Sequence, residues 1–342
     1  MARPLATMDT LPQSMKAAVF DKHGDSSVLR IDAQHPLPAM NETEVLVKVY
    51  YAGVNFVDTY QRSGLYPVKL PLQVGREGAG IIVKIGCNVP PSYGIQVGDR
   101  VAVFTQGTAA EYVSAAPESV MVLPPLISMK QGAAIMLQGL TAWTIVQDGH
   151  KVEQGQTILI QAAAGGTGGM LVQMCKHLGA TVIGTVSTPK KAEIAKKHGC
   201  DHIILYKEND VQKEVMSLTG NKGCHAVLSG VGEVIFAQDL ACTRRKGTLV
   251  SYGNSSGAVS SFRVLDLSKK NVKLVRPTLA NYITERDEFV LRSQQLLDLV
   301  GSGVVRPEFG GEYPLEEVAQ AQDDLTTQKT TGKLLIRIQT EE

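Results

Sequence analysis

The chain has little of what would mark a secreted, membrane-spanning or nucleic-acid-binding protein. Its five cysteines, Cys87, Cys175, Cys200, Cys224 and Cys242, are odd in number, scattered and never spaced C-x-x-C. That argues against a disulfide framework or a structural zinc lobe and leaves small buried or surface thiols. No charge excess is present, with 34 Lys+Arg against 33 Asp+Glu over 342 residues, so no basic field calls for nucleic acid and no acidic tract suggests a tail. No uninterrupted apolar run is long enough to span a bilayer. Residues 1–14 contain one Arg, two Pro and no apolar stretch of the kind a secretory signal needs. They read as a loose extension. One basic residue is weak support for a mitochondrial presequence, and the expected location is cytoplasmic. Internal repeats and low-complexity segments are missing too.

What is there falls into two textures. From Met15 to about Val122 the chain reads as short Val/Ile/Tyr-rich strands, with candidates at Met15–Phe20, Glu44–Tyr51, Gly80–Ile85, Arg100–Phe104 and Ala110–Ser114, punctuated by Pro90-Pro91 and Gly98-Asp99. Such a pattern suggests a barrel-like β domain. A helical pattern over Met129 to about Gln147 follows, and then strand and helix alternate. Strands are expected at Ile158–Gln161, Thr181–Thr185, His202–Leu205, Ala226–Leu228, Thr248–Tyr252 and Lys273–Val275. Helices are expected at about Gly168–Leu178, Pro189–His198, Glu208–Leu218 and Val234–Thr243. Alternation of this kind implies right-handed βαβ crossovers and a doubly wound, six-stranded parallel sheet. A helix over about Asp287–Val300, another starting near Pro314 and a closing strand at Lys333–Ile338 lie outside that unit. They are assigned to the first domain, which makes it discontinuous: residues 1–139 and 279–342 around a dinucleotide-binding domain at 140–278. The fold class is α/β.

The most informative stretch is Ile158-Leu-Ile-Gln-Ala-Ala-Ala-Gly-Gly-Thr-Gly-Gly-Met170, a buried strand that stops in a glycine turn and opens a helix. Free backbone N–H groups and the helix dipole favour an anion there, and glycines admit a diphosphate close to the backbone. The glycine cluster is Gly165, Gly166, Gly168 and Gly169. The turn is not a strict G-x-G-x-x-G, because position 171 is Leu, but it occupies the first βα turn of a βαβαβ run. The end of the second strand, Thr185-Val-Ser-Thr-Pro-Lys-Lys191, carries no acid before Glu193. A carboxylate there would accept from a ribose 2′-hydroxyl and repel a 2′-phosphate. Ser187 and Lys191 favour the phosphate, hence NADPH, against the plainer reading of Lys190 and Lys191 as a solvated helix face. Tyr206 either closes over the adenine end or is a strand-end surface tyrosine. The loop Ser251-Tyr-Gly-Asn-Ser-Ser-Gly257 follows the fifth strand and places Gly253, Asn254 and Ser255 toward the nicotinamide half, or simply forms an Asn/Ser turn. The loop at Gly230-Val-Gly232 has the same two readings.

Together with Ala52-Gly-Val-Asn-Phe-Val-Asp-Thr-Tyr60, Arg62-Ser-Gly-Leu-Tyr-Pro67 and Leu274-Val-Arg-Pro277, these motifs resemble the medium-chain dehydrogenase/reductase superfamily in its zinc-independent quinone oxidoreductase (zeta-crystallin-like) branch. The resemblance runs over nearly the whole chain from Met15. It implies a GroES-like β-barrel catalytic domain built from both chain ends, a Rossmann domain between them, and a homodimer or homotetramer. It implies Ser187, Lys191 and Tyr206 as the 2′-phosphate pocket, Gly166 and Thr167 as diphosphate contacts, Thr141, Leu279 and Lys333 as neighbours of the nicotinamide or its diphosphate, and Asn55 and Tyr60 as polar groups over the nicotinamide cleft. Zinc-dependent alcohol dehydrogenases of the same superfamily place a Cys and a His ligand at the equivalents of Asn55 and Arg76. An amide and a guanidinium are not zinc ligands, so no metal is expected. The chain departs from the branch at Ser229-Gly-Val-Gly232, at Thr167 and at Gln138, where some relatives carry a basic residue.

Without a Lewis acid, the simplest chemistry is reduction of an acceptor that is already electron-poor. The expected activity is NADPH:quinone reduction, by hydride transfer or by one-electron steps, with Asn55 orienting a carbonyl and Tyr60 donating a hydrogen bond or a proton, unless Asn55 only caps a turn and Tyr60 only packs. The alternative is reduction of an activated C=C bond in an alkenal or enone. A crystallin-like or RNA-binding role ranks third, since the near-neutral charge leaves no electrostatic footprint for RNA.

Overall fold

A computed structural model describes residues 11–340. The extension expected at residues 1–14 therefore lies, as far as residue 10, outside the described residues. Six parallel strands form one sheet: Thr157–Ile160, Thr181–Val186, His202–Leu205, Cys224–Ser229, Thr243–Ser251 and Lys273–Val275. In chain order among themselves they lie 3-2-1-4-5-6, so the strand order reverses between the first and the fourth, where ligands of open α/β sheets bind. The strands are apolar on both faces because helices cover both. Ile158, Ile160, Val182 and Leu228 meet Leu171, Val172 and Cys175 on one side. Leu159, Ile183, Ile204 and Val227, one residue out of step, meet Val215, Phe236 and Cys242 on the other.

The remaining strands build a seven-stranded sheet around Val45–Val54, with Glu77–Ile85 along one edge and Tyr112–Ala115 and Lys333–Arg337 sharing the other. A bridge from Ala17 to Ala110 joins it to a three-stranded sheet that begins with Ser14–Phe20. Chain ends far apart in sequence thus meet in one unit. The large core cluster also crosses between units, since Ala79, Met121 and Leu335 pack in the same cluster as Leu140, Leu171 and Leu296.

Several elements differ from the sequence expectation. The single helix expected over Met129–Gln147 is two helices, Met129–Ile135 and Gln138–Thr144, followed by a π turn at Ile145–Gly149. The break comes where Leu137 N–H turns to donate to the Glu77 carboxylate at 2.5 Å, away from the helical ladder. Strands at Arg30–Pro36 and Phe309–Pro314, which lack a clean apolar period, and the short helix Phe56–Ser63, only eight residues long, were not expected. They form through pairing and packing with elements distant in sequence, such as Phe309–Pro314 beside Lys333–Arg337.

Candidate active site

The first strand ends at Ile160, and the chain turns through Ala162, which sits at φ 54°. A left-handed alanine is strained, and here it lets Gly165 N–H close back onto the Ala162 carbonyl at 2.9 Å. The helix Gly166–His177 then starts from Gly165 with no side-chain cap and no acid in its first turn. Its first N–H groups and its positive dipole end are unopposed. A Cβ at Gly168 would lie 2.2 Å from the Ala162 carbonyl oxygen, and one at Gly166 would lie 2.0 Å from Gln138 Oε1. The backbone contact restricts position 168 to glycine, the one at 166 would require Gln138 to move, and this bare cradle fits a diphosphate.

At the end of the second strand, Ser187 and Lys191 stand half-buried at the start of helix Pro189–His198, and Tyr206 is 41 % exposed. The Lys191 ammonium donates to the Gln328 carbonyl at 2.7 Å. Partial burial, with the Lys207 charge close by, holds its pKa below the usual lysine range. Two cations close together beside Ser187 and Tyr206 fit a phosphate. Lys207 was not singled out from the sequence, because a Tyr-Lys-Glu run past a strand reads as ordinary surface.

Facing the turn, a cleft of about 230 Å³ opens between the two units. Thr141, Thr167, Gly253 and Leu279 line it together with Asn55 and Tyr60. Its floor is a buried network. Lys333 is fully buried, and its ammonium donates to the Glu77 carboxylate at 2.5 Å, to Asn55 Oδ1 at 2.9 Å and to the Val54 carbonyl at 3.0 Å. Asn55 Nδ2 donates to Glu77 at 2.7 Å, and Gln138 Nε2 donates to Asn55 Oδ1 at 3.1 Å. The Asn55 amide is thereby engaged on both its nitrogen and its oxygen, and Lys333 spends all three protons beneath the floor. Lys333 still touches the cofactor side through the chain, because its neighbour Gly332 bridges to Gly165 and donates to the Ala164 carbonyl at 3.1 Å. Asp58 Oδ2 accepts from Asn55 N–H at 2.8 Å, and burial pushes the Asp58 carboxyl up to about 7.

One wall carries Tyr60, whose hydroxyl accepts from Asn254 N–H at 3.0 Å and whose ring stands edge-on to Tyr66 at 5.2 Å. Burial raises the Tyr60 pKa, so the hydroxyl keeps its proton. Arg276 donates to the Tyr66 hydroxyl at 2.8 Å and ties the sixth strand's end to the other unit. Ser255 N–H donates to the Gly230 carbonyl at 3.2 Å and shapes the loop behind Gly253. Ser187, Lys191 and Tyr206 do not line this cleft. Ser187 and Lys191 follow the strand beside the glycine turn, and Tyr206 follows the next strand out, its N–H donating to the Val186 carbonyl. Glu77, Gln138, Tyr66 and Arg276 were not read as site residues from the sequence; the Leu274-Val-Arg-Pro277 motif was the one local signal for Arg276. Among the described residues no three of His, Cys, Asp and Glu come together as a metal site. The Asn55 amide and the Arg76 guanidinium do not offer the donors zinc takes.

A mixed-sheet unit closed by the C-terminal strand, a 3-2-1-4-5-6 parallel sheet and a cleft between them define a two-domain, dinucleotide-dependent dehydrogenase or reductase. Known families agree: the alcohol dehydrogenase GroES-like domain matches residues 41–125 and the zinc-binding dehydrogenase domain matches residues 166–293. Quinone oxidoreductase 1 of Escherichia coli is 38% identical over 325 residues, covering 93% of this chain and 98% of its own. The crystal structure of Escherichia coli quinone oxidoreductase complexed with NADPH superposes with a TM-score of 0.90 at 36% identity, covering 94% of this chain and all of that one. A 2-haloacrylate reductase from Burkholderia is 35% identical over 294 residues, covering 83% of this chain and 87% of its own. The chain belongs to the quinone oxidoreductase branch of the medium-chain dehydrogenase/reductase superfamily.

Proposed function

We infer that the protein is an NADPH-dependent reductase of quinones. The observation that carries this is the pairing of a bare glycine-turn helix with an acid-free, two-lysine strand end, in a chain whose full-length relatives are quinone oxidoreductases. NADPH supplies the reducing equivalents. The protein's residues bind and orient. Gly165, Gly166 and Thr167 take the diphosphate, and Ser187, Lys191 and Tyr206 take the 2′-phosphate. Thr141, Gly253 and Leu279 frame the nicotinamide, while Asn254 and Ser255 hold their loop in place. Lys333 and Asn55 form the polar floor, and Tyr60, neutral and buried, presents its hydroxyl proton to the acceptor's oxygen. Phe56, Leu137 and Ile145 make the walls apolar, which favours a flat conjugated ring and excludes water.

The division into residues 1–139 with 279–342 and residues 140–278 is part of the same reading. So is a homodimer or homotetramer. The strand Lys273–Val275 has one sheet neighbour, and Val264 and Leu265 nearby are 75% and 74% exposed, which supports assembly through that edge. No helix among the described residues is long and apolar enough to cross a membrane, and we propose a cytoplasmic location. Reduction of an activated C=C bond is the second reading, supported by the 2-haloacrylate reductase relative.

Steady-state NADPH oxidation with ortho-quinones and with conjugated enones, NADH alongside, tests both readings. Quinone turnover well above enone turnover, with NADPH preferred, is the expected result. Enones outrunning quinones would replace the first reading with the second, and equal use of NADH would remove the 2′-phosphate pocket.

A further inference from the structure

The cleft is unbalanced in charge. Two guanidiniums, Arg76 and Arg276, line it, and no Asp, Glu or Lys does. Arg30, Arg292 and Arg337 pair with Asp21, Asp148 and Glu312, while Arg62, Arg100 and Arg286 donate to neutral acceptors. Among the described residues Arg76 has no carboxylate within ion-pair distance. Its guanidinium lies over the Phe104 ring at 5.0 Å and donates one long bond, 3.3 Å, to Gln106 Oε1. The acids nearest to it are committed elsewhere. Glu77 takes the Lys333 ammonium, the Asn55 amide and Leu137 N–H. Asp58 takes Asn55 N–H, and its burial leaves the carboxyl sharing a proton near neutral pH. Arg276 is tied to the Tyr66 hydroxyl and the Pro277 carbonyl, both uncharged. Burial lowers the Arg76 pKa and the charge of Asp58, beyond ion-pair distance, opposes this, so the guanidinium faces an apolar-walled cleft without a direct counter-ion. A guanidinium placed over an aromatic ring, with N–H groups beyond the one given to Gln106, matches a carboxylate in two parallel bonds.

We propose that Arg76 makes this a reductase of acceptors that carry a carboxylate on, or conjugated to, the reducible quinone or double bond. The carboxylate pairs with the Arg76 guanidinium, the flat conjugated part lies between Phe56, Leu137 and Leu279, and Arg276 at the other wall adds to the field that draws the anion in. The proposal rests on the reductase reading and sharpens its substrate class. It places Arg76 in direct contact with substrate as a specificity residue.

The test compares a quinone carboxylate with its own methyl ester, for example 9,10-phenanthrenequinone-2-carboxylate and the ester, which match in ring and size and differ in charge. The expected kcat/KM preference for the carboxylate is about 10- to 100-fold, the worth of a charge-assisted pair, and it shrinks as ionic strength rises. Arg76→Gln abolishes the preference ratio, Arg76→Lys retains part of it, and the NADPH dissociation constant of each variant reports that the fold and cofactor site are intact. A second readout needs no turnover: calorimetric binding of 2-naphthoate against 2-naphthamide, with the carboxylate bound more tightly by the wild type and not by Arg76→Gln. An ester used as well as the carboxylate by the wild-type enzyme, or a preference that survives Arg76→Gln, overturns the proposal. Failure to oxidise NADPH with any quinone or enone sinks the reductase reading instead, and the naphthoate measurement then still decides whether Arg76 is an anion site.

Discussion

The helices that follow the first and second strands of the parallel sheet begin in opposite ways. Helix Pro189–His198 is closed by its own residues: Thr188 Oγ1 accepts from Lys191 N–H at 3.3 Å, and Pro189 occupies the first turn where its missing N–H costs nothing. Helix Gly166–His177 starts from Gly165 with no side chain to cap it, behind an alanine at φ 54°. The same contrast recurs in the other unit. Ser128 caps its helix through Gln131 N–H, whereas Asn55, at the start of helix Phe56–Ser63, makes no side-chain cap bond and turns its amide to Glu77, Gln138 and Lys333. Helix Gly166–His177 leaves its first N–H groups unclaimed beside the cleft, and Asn55 gives its amide to the buried network, while Thr188 and Ser128 close their own helices. At the glycine turn, local stability is withheld where an anion can supply the missing partners.

Lys333 gives the largest expected effect, because it underlies the bare turn through Gly332 and neutralises Glu77. Lys333→Met leaves a fully buried carboxylate unpaired and is expected to lower unfolding stability by about 3–5 kcal/mol, read by urea denaturation. Adding Glu77→Gln removes the orphaned charge, and most of the loss is expected to return. A double variant no more stable than the single one would show that Lys333 acts through packing and not through its charge. Next is Gly168→Ala. Its Cβ would sit 2.2 Å from a backbone oxygen, a clash that flexible side chains cannot relieve, so a cost of about 1–3 kcal/mol is expected. NADPH binding, measured by fluorescence titration, should weaken with it.

Lys191→Ala separates the two helix starts functionally. It leaves the glycine cradle alone and removes one cation of the proposed 2′-phosphate pocket. The expected loss in NADPH affinity is about 10- to 100-fold, the range of a charge-assisted hydrogen bond, with NADH affinity changed far less. Equal losses for both cofactors would move Lys191 out of the pocket and leave it as a tie to Gln328.

How much of this was legible beforehand follows the same physics. The parallel strands were readable because the central ones are buried apolar runs between helices, and the cradle was readable because glycines are sequence features in themselves. The acid-free end of the second strand was readable for a similar reason: a missing residue type is visible. The floor was not. Glu77, Gln138, Asn55 and Lys333 come from four separate segments of chain, and nothing local in Gly75-Arg-Glu77 or Gly332-Lys333 announces that their side chains meet at 2.5 Å. The strand Phe309–Pro314 escaped for a related reason, since its glycines and proline give no alternating pattern and its pairing partner supplies the order. Arg76 was read from the sequence only as a residue that displaces a zinc ligand, while its lack of a counter-charge is visible only with the acids placed around it.

The smallest expected effect is also the most direct comparison of the two helix starts. Thr188→Ala removes a side-chain acceptor from an N–H that has no other partner, and such caps are worth about 1 kcal/mol. Gly165→Ser attempts the reverse, adding a cap where there is none. Its Cβ would lie 3.2 Å from the Ala162 carbonyl oxygen, a tight fit without severe overlap. The hydroxyl can then accept from a first-turn N–H, and replacing glycine by serine at such a position stabilises a helix by a few tenths of a kcal/mol, on the order of 0.3. The N–H it satisfies is one that a diphosphate would use. If helix starts at the groove are left bare for the ligand, Gly165→Ser holds or slightly raises the melting temperature while NADPH affinity falls, and Thr188→Ala lowers the melting temperature with a far smaller change in affinity. A serine at 165 that stabilises the protein and binds NADPH as tightly as before would mean that the bare N-terminus reflects crowding in the turn and not reservation of its amides for a phosphate.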